Sequence, residues 1–469
     1  MRKYIFLISA LLSASFAEAK VTLPKMFSDG MVMQRETKAN LWGNTTVKSA
    51  TVAVTTSWDG KTYKAKADAK GKWKLSVQTP AAGGPYTITF DDGEKTKLDD
   101  ILIGELWVCS GQSNMEMPMK GFKNQPVDGA VMDILHSTDD QLRLFTVKRN
   151  SRFAPVDTVS GSWKSAKPES VREFSATAYY FGRELRRALG VPVGLIVAAW
   201  GGSACEAWMT ADWLKAFPDA RIPAKEADIK SKNRTPTVLY NGMMHPLVGI
   251  AMRGVIWYQG EDNVTRYPTY ADMFSTMIRG WRAQWGLGDF PFYYCQIAPY
   301  DYKIINYTIN SAFLREQQAK AELMNNNCGM AVLMDAGLEY GIHPRKKNLA
   351  GERLALLALD KTYGIKGLTS QSAYYKNVEF KNDTAVVSFE RANMWIYGRD
   401  GYKSDLFEVA GDDRVFHKAK AWISRSKVYV KSDEVKKPVA VRYAFHDWAD
   451  GDLFCDGLPV SSFRTDNWD

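Results

Sequence analysis

"VCSGQSNMEM", residues 108–117, is the stretch on which the reading of this chain turns. Val108 and Cys109 close an apolar run, and Ser110, Gly111, Gln112, Ser113 and Asn114 follow with no hydrophobic residue until Met115. A core strand that stops at a glycine-hinged corner sets a serine hydroxyl at its end. The corner gains meaning from four other apolar runs: Val193 to Ala199, Val255 to Tyr258, Phe292 to Ile297 and Met330 to Met334. Each is short enough for a strand buried on both faces. One intervening helix is marked by Ser175 as N-cap, by Phe181, Leu185 and Leu189 on one stripe, and by Gly190 as its stop. Strands alternating with helices predict an α/β domain over residues 101–365, a parallel sheet flanked by helices. Ligands of such sheets bind beyond the carboxyl ends of the strands.

The flanks have a different texture. Val52 and Val54, Trp73, Leu75 and Val77, and Tyr86, Ile88 and Phe90 alternate with polar residues, with turn signals at Asp59-Gly60 and Gly83-Gly84-Pro85. Val387 and Phe389, Val428 and Val430, and Val439, Val441, Tyr443 and Phe445 repeat the pattern near the other end. Accessory antiparallel β-sandwich regions are therefore expected over residues 20–100 and 366–469.

Residues 1–19 have a basic start at Arg2 and Lys3, an apolar stretch from Ile5 to Leu12 and a small-residue site at Ala17-Glu18-Ala19. This is the pattern of a cleaved signal peptide, so a periplasmic or secreted location is expected. No later apolar stretch is long enough for a membrane helix. The net charge of +9 is spread without a long basic block, which argues against nucleic acid as a partner. The five cysteines are widely spaced with no CxxC pair. Neither a disulfide framework nor a zinc site is indicated, and no metal or other cofactor is expected.

The strand ends carry the chemistry. The first run leads into Gly111-Gln112-Ser113-Asn114, the second into Trp200-Gly201-Gly202-Ser203, the third into Gln259-Gly260-Glu261, and the last into Asp335 with Ile342-His343-Pro344 behind it. Acyl transfer from an ester needs a nucleophile, a base and donors for the oxyanion. Ser113 offers a hydroxyl and its own N–H, Gly202 lets backbone approach a substrate, Gln259 offers a side-chain N–H, and His343 suits proton transfer in both directions. Of the five histidines, His136, His417 and His446 lie in other contexts; His245 precedes the third strand, whereas His343 follows the fifth. Each residue alone also fits an ordinary role: a turn serine, a tight Gly-Gly turn, Glu261 as a helix cap, His343 in a surface loop.

Taken in order, Gly111-Gln112-Ser113-Asn114-Met115, Trp200-Gly201-Gly202-Ser203, Trp257-Tyr258-Gln259-Gly260-Glu261 and Ile342-His343-Pro344 resemble the bacterial sialate O-acetylesterases of the SGNH hydrolase superfamily. Asp29 to Arg35 and Leu314-Arg315-Glu316 extend the likeness over most of the chain. The resemblance implies Ser113 as nucleophile, His343 as base and acid, and an oxyanion hole of Ser113 N–H, Gly202 N–H and the Gln259 side chain. It implies hydrolysis of O-acetyl esters, foremost on sialic acid, through an acyl-serine. Acetylated xylan or another glycan is the alternative substrate, and a non-catalytic glycan-binding protein the alternative class. Two departures stand out. Gln259 replaces the usual asparagine, and Tyr340 occupies the place, three before the histidine, where an aspartate is usual. The orienting acid is then Glu261, Asp335 or Glu339, with Glu261 first because related sugar acetylesterases carry Gln-Gly-Glu; a backbone carbonyl is the remaining option. Trp200, Trp257 and Tyr258 are candidate apolar platforms for the sugar or its acetyl methyl. Arg315 is a candidate partner for a sialic acid carboxylate.

Overall fold

The computed structural model describes residues 20–468, so the expected signal peptide lies outside the described residues. Its organising element is one strand of 17 residues, Lys95–Gly111. The first part pairs antiparallel with Gly83–Asp91, and Leu102 to Gly104 pair in parallel with Val32–Gln34. From Glu105 onward the strand is flanked in parallel by Val193–Ala199 on one side, and from Trp107 by Gly254–Tyr258 on the other. Burial follows the same division: the start alternates with solvent, and every residue from Ile101 to Gly111 is buried.

The central sheet runs in the order Trp163–Ala166, Asp139–Thr146, Val193–Ala199, Lys95–Gly111, Gly254–Tyr258, Phe292–Cys295, Cys328–Ala331. Six of these neighbours are mutually parallel; Trp163–Ala166 is antiparallel to Asp139–Thr146. With the N-terminal strands joined to it, the sheet is mixed rather than wholly parallel. Asp139–Thr146 escaped the sequence reading because Arg143 breaks its apolar run. In the fold Arg143 is buried and forms a two-pronged ion pair with Asp100, which lets it occupy a strand.

Alternation along each strand creates two cores. Val108, Ile196, Val255, Trp257, Phe292 and Tyr294 pack with the helices Tyr270–Trp285 and Ala312–Leu323. Trp107, Cys109, Leu195, Val197, Ile256, Tyr258 and Tyr293 pack with Ala176–Leu189 and Lys347–Lys361 on the opposite face. Each fully buried side chain of this size contributes about 1.5–3 kcal/mol. The helix Ala176–Leu189 has the expected Ser175 cap, which accepts the Ala178 N–H, and stops at Gly190. The flanking segments form antiparallel sheets: Lys38–Thr45 with Lys72–Gln78 at one end, and five-, four- and three-stranded sheets from Tyr374 onward. All five cysteines are free and buried. Among the described residues, no helix is long and apolar enough to cross a membrane.

Candidate active site

The corner after the long strand is a steric consequence of Gly111. Its φ is +139°, and a Cβ there would stand 2.1 Å from the Tyr258 carbonyl oxygen, so only glycine lets the two strands meet at their ends. The chain then enters a single helical turn, Ser113–Glu116. Ser113 is its first residue, and its N–H has no intrahelical acceptor. Its neighbours anchor the turn. Gln112 Oε1 accepts the Gly260 N–H at 3.1 Å, and Asn114 Nδ2 donates to Glu261 Oε1 at 2.5 Å and to the Ile342 carbonyl at 3.2 Å.

Beside this turn lies a cleft of about 380 Å³ lined by Ser113, Gly202, Glu261 and His343, with Arg149 and Arg234 among its other walls. Gly202 has φ +64°, and the Gly201 carbonyl accepts Asn233 Nδ2 at 2.7 Å. In a trans peptide this turns the Gly202 N–H away from Asn233. Among the described residues, neither the Ser113 nor the Gly202 N–H donates to a protein group. A larger cavity of about 670 Å³ contains none of these residues; it lies against Trp42, Trp73 and His245, whose Nδ1 faces the Val156 carbonyl.

His343 reaches the cleft from the loop after the last central strand. Its Nδ1 is 2.5 Å from Gln125 Oε1, which can only accept, so the proton sits on Nδ1 and Nε2 carries the lone pair, which meets no protein donor among the described residues. Burial, aided by the Lys347 charge, pushes the imidazole pKa down to about 4, and the ring is neutral at neutral pH.

Several expected contributors stand elsewhere. Gln259 is fully buried: Nε2 donates to the Ser203 carbonyl and to Asn263 Oδ1, Oε1 accepts the Tyr270 hydroxyl, and the side chain does not line the cleft. Glu261 lines the cleft, but its bonded oxygen faces Asn114 and not His343. Burial raises its pKa. Asp335 is engaged through both oxygens by Arg353 at 2.7 Å, and Glu339 faces Tyr340. None of the three acids touches the imidazole. Arg315 is wholly buried, donating to Ser462 Oγ and to the His446 carbonyl, so it clamps the C-terminal segment instead of meeting a ligand. Trp200 is half-buried beneath the Arg149 guanidinium, 5.5 Å away, and Trp257 and Tyr258 are core residues.

The fold adds residues that the sequence did not single out. Glu116 accepts the Gly201 N–H at 2.8 Å and Arg149 Nε at 2.6 Å, joining the Ser113 turn to the Gly201-Gly202 loop. Arg149 stands just beyond Asp139–Thr146, the overlooked strand. Arg234 Nε is held by Asp262 at 2.7 Å. Both guanidinium groups are anchored through Nε, leaving their Nη atoms without a protein acceptor among the described residues.

Comparison with known proteins places these features in a family. A family model described as "Carbohydrate esterase, sialic acid-specific acetylesterase" matches residues 103–341, ending two residues before His343. The sialate O-acetylesterase of Homo sapiens is 30% identical over 394 residues, covering 75% of this chain and 73% of that protein. Its Rattus norvegicus counterpart is 29% identical over 410 residues, covering 74% and 75%. The crystal structure of a carbohydrate acetylesterase from Xanthomonas citri superposes with a TM-score of 0.88 at 38% identity, covering 96% of this chain and 100% of that one. The chain is an ester hydrolase and belongs to the sialic acid-specific acetylesterase family of carbohydrate esterases.

Proposed function

We propose that this esterase removes O-acetyl groups from sialic acid by a serine mechanism of the SGNH type. The observation that carries the reading is one cleft that collects the Ser113 turn, the Gly202 backbone and a neutral His343 with its Nε2 free. Ser113 Oγ attacks the acetyl carbonyl carbon while Nε2 takes the hydroxyl proton. The Ser113 and Gly202 N–H groups receive the oxyanion. Collapse of the tetrahedral intermediate breaks the ester C–O bond, and the imidazolium returns its proton to the departing sugar oxygen. Water, deprotonated by Nε2, then releases acetate and restores the serine.

Substrate choice rests on the two anchored guanidinium groups. Arg149 and Arg234, which line the cleft and are anchored through Nε, suit a sugar carboxylate, the role first expected of Arg315. Residues 1–19 are proposed to direct export, with the mature chain starting at Lys20.

The test is hydrolysis of a chromogenic acetate ester, acetylated sialic acid and acetylated xylan by wild type and Ser113→Ala. Loss of at least about a thousandfold in kcat by a folded Ser113→Ala is expected. Wild-type turnover by that variant refutes the serine mechanism, and preference for xylan refutes the sialate assignment.

A further inference from the structure

Lys347 is the first residue of the helix Lys347–Lys361, and it is 1% exposed. This is an adverse place for a lysine. Burial strips its ammonium of water, and the positive end of the helix dipole opposes a cation. Desolvation lowers its pKa to about 7. Nζ donates to Asn114 Oδ1 at 2.5 Å and lies 5.7 Å from the Tyr258 ring centroid. The other titratable groups acting on Lys347 or sensing its charge are Glu261, His343 and Cys295.

The geometry at Asn114 explains what this cation does. An amide has a donor end and an acceptor end, and exchanging them is nearly neutral in shape. Here the acceptor end meets Lys347, while the donor end meets both Glu261 Oε1 and the carbonyl of Ile342, the residue before His343. A reversed amide would set donor against ammonium and acceptor against carboxylate. The donor at Lys347 Nζ and the acceptors at Glu261 Oε1 and the Ile342 carbonyl thus permit one orientation of Asn114, the one that fastens the histidine loop to the residue beside Ser113.

Resting on the serine mechanism above, we propose that Lys347 and Glu261 are a pair of positioning residues that lock the Asn114 amide and so hold His343 in register with Ser113. Glu261, first choice as the acid bonded to the histidine, acts through Asn114 instead.

The experiment compares kcat, KM and the pH profile of chromogenic acetate hydrolysis in wild type, Lys347→Met and Glu261→Gln, with folding checked by circular dichroism. Lys347→Met keeps an unbranched side chain one atom shorter and removes donor and charge. A fall of at least tenfold in kcat with KM within twofold is expected, and the acid limb of kcat/KM should move to higher pH because His343 loses a neighbouring cation. Glu261→Gln should lower kcat in the same way with KM unchanged. Wild-type kcat in folded Lys347→Met overturns the proposal. So does a lowered kcat with an unmoved acid limb, which marks a merely structural lysine. Where Lys347→Met does not fold, Glu261→Gln decides, and wild-type kcat there overturns it. Loss of activity in Ser113→Ala beside full activity in these variants separates failure of this proposal from failure of the serine mechanism.

Discussion

Gln125 Oε1 faces His343 Nδ1 at 2.5 Å, so a neutral amide, and none of the three expected acids, orients the imidazole. A carboxylate at Nδ1 would stabilise the imidazolium and raise its pKa; an amide oxygen fixes the tautomer with little such effect. Gln125→Leu removes the acceptor at similar size. We expect kcat to fall by about 10- to 100-fold, with KM for a small acetate ester unchanged. Steady-state kinetics check this, and an unaltered kcat contradicts the assignment of tautomer.

The pH profile follows from the environment of His343. Its folded pKa is pushed down to about 4 from an ordinary value of 6.5. Between these values the unfolded chain binds a proton that the native site refuses, so this group's contribution to stability rises with pH from 4 to 6.5 and is level above. As the proposed base, His343 stays unprotonated well into acid, and the acid limb of kcat/KM should fall clearly below pH 6.5. A limb at 6.5 or above counts against a desolvated His343.

Asp335 belongs to stability. Arg353, buried, takes both its oxygens and also donates to the Val332 carbonyl. Asp335→Ala leaves that cation unpaired, and a loss of roughly 3–5 kcal/mol in unfolding free energy is expected. The kcat of the folded fraction should be that of wild type, as shown by denaturant titration beside active-site-normalised kinetics. A selective collapse of kcat would restore Asp335 as a catalytic acid.

Arg315 makes the same contrast where the helix Ala312–Leu323 meets the C-terminal segment. Its guanidinium is pushed down to a pKa of about 10 by burial and holds the backbone at His446 and Asp447. Arg315→Met should cost roughly 3–5 kcal/mol by stranding those partners, with KM for acetylated sialic acid unchanged. Arg149→Ala and Arg234→Ala should do the reverse: near-wild-type folding, with KM for that substrate raised about tenfold or more and KM for a neutral acetate ester nearly constant. Equal KM changes on both esters would remove the carboxylate role.

The legible parts of the site were those encoded by neighbours in sequence. The Gly111 corner announces itself because a strand end beside a glycine and a serine is local grammar, and the apolar runs marked five of the six parallel strands. Asp139–Thr146 was hidden by Arg143, whose burial is possible only because Asp100 sits opposite. Arg149 was lost with that strand.

What the sequence by itself determined was the alternation of strands and helices, the serine corner and the histidine that follows the last strand, since each depends on propensity and spacing along the chain. Tertiary structure alone decided which polar groups were already engaged. Gln259, Asp335 and Arg315 have the right chemistry for a site, yet partners on other elements of the fold consume their donors and acceptors, and a buried polar group bonded to the protein interior is withdrawn from a ligand. The same rule brought forward Gln125, Asn114 and Lys347: their partners lie more than two hundred residues away, or across two separate loops, where no local pattern records them.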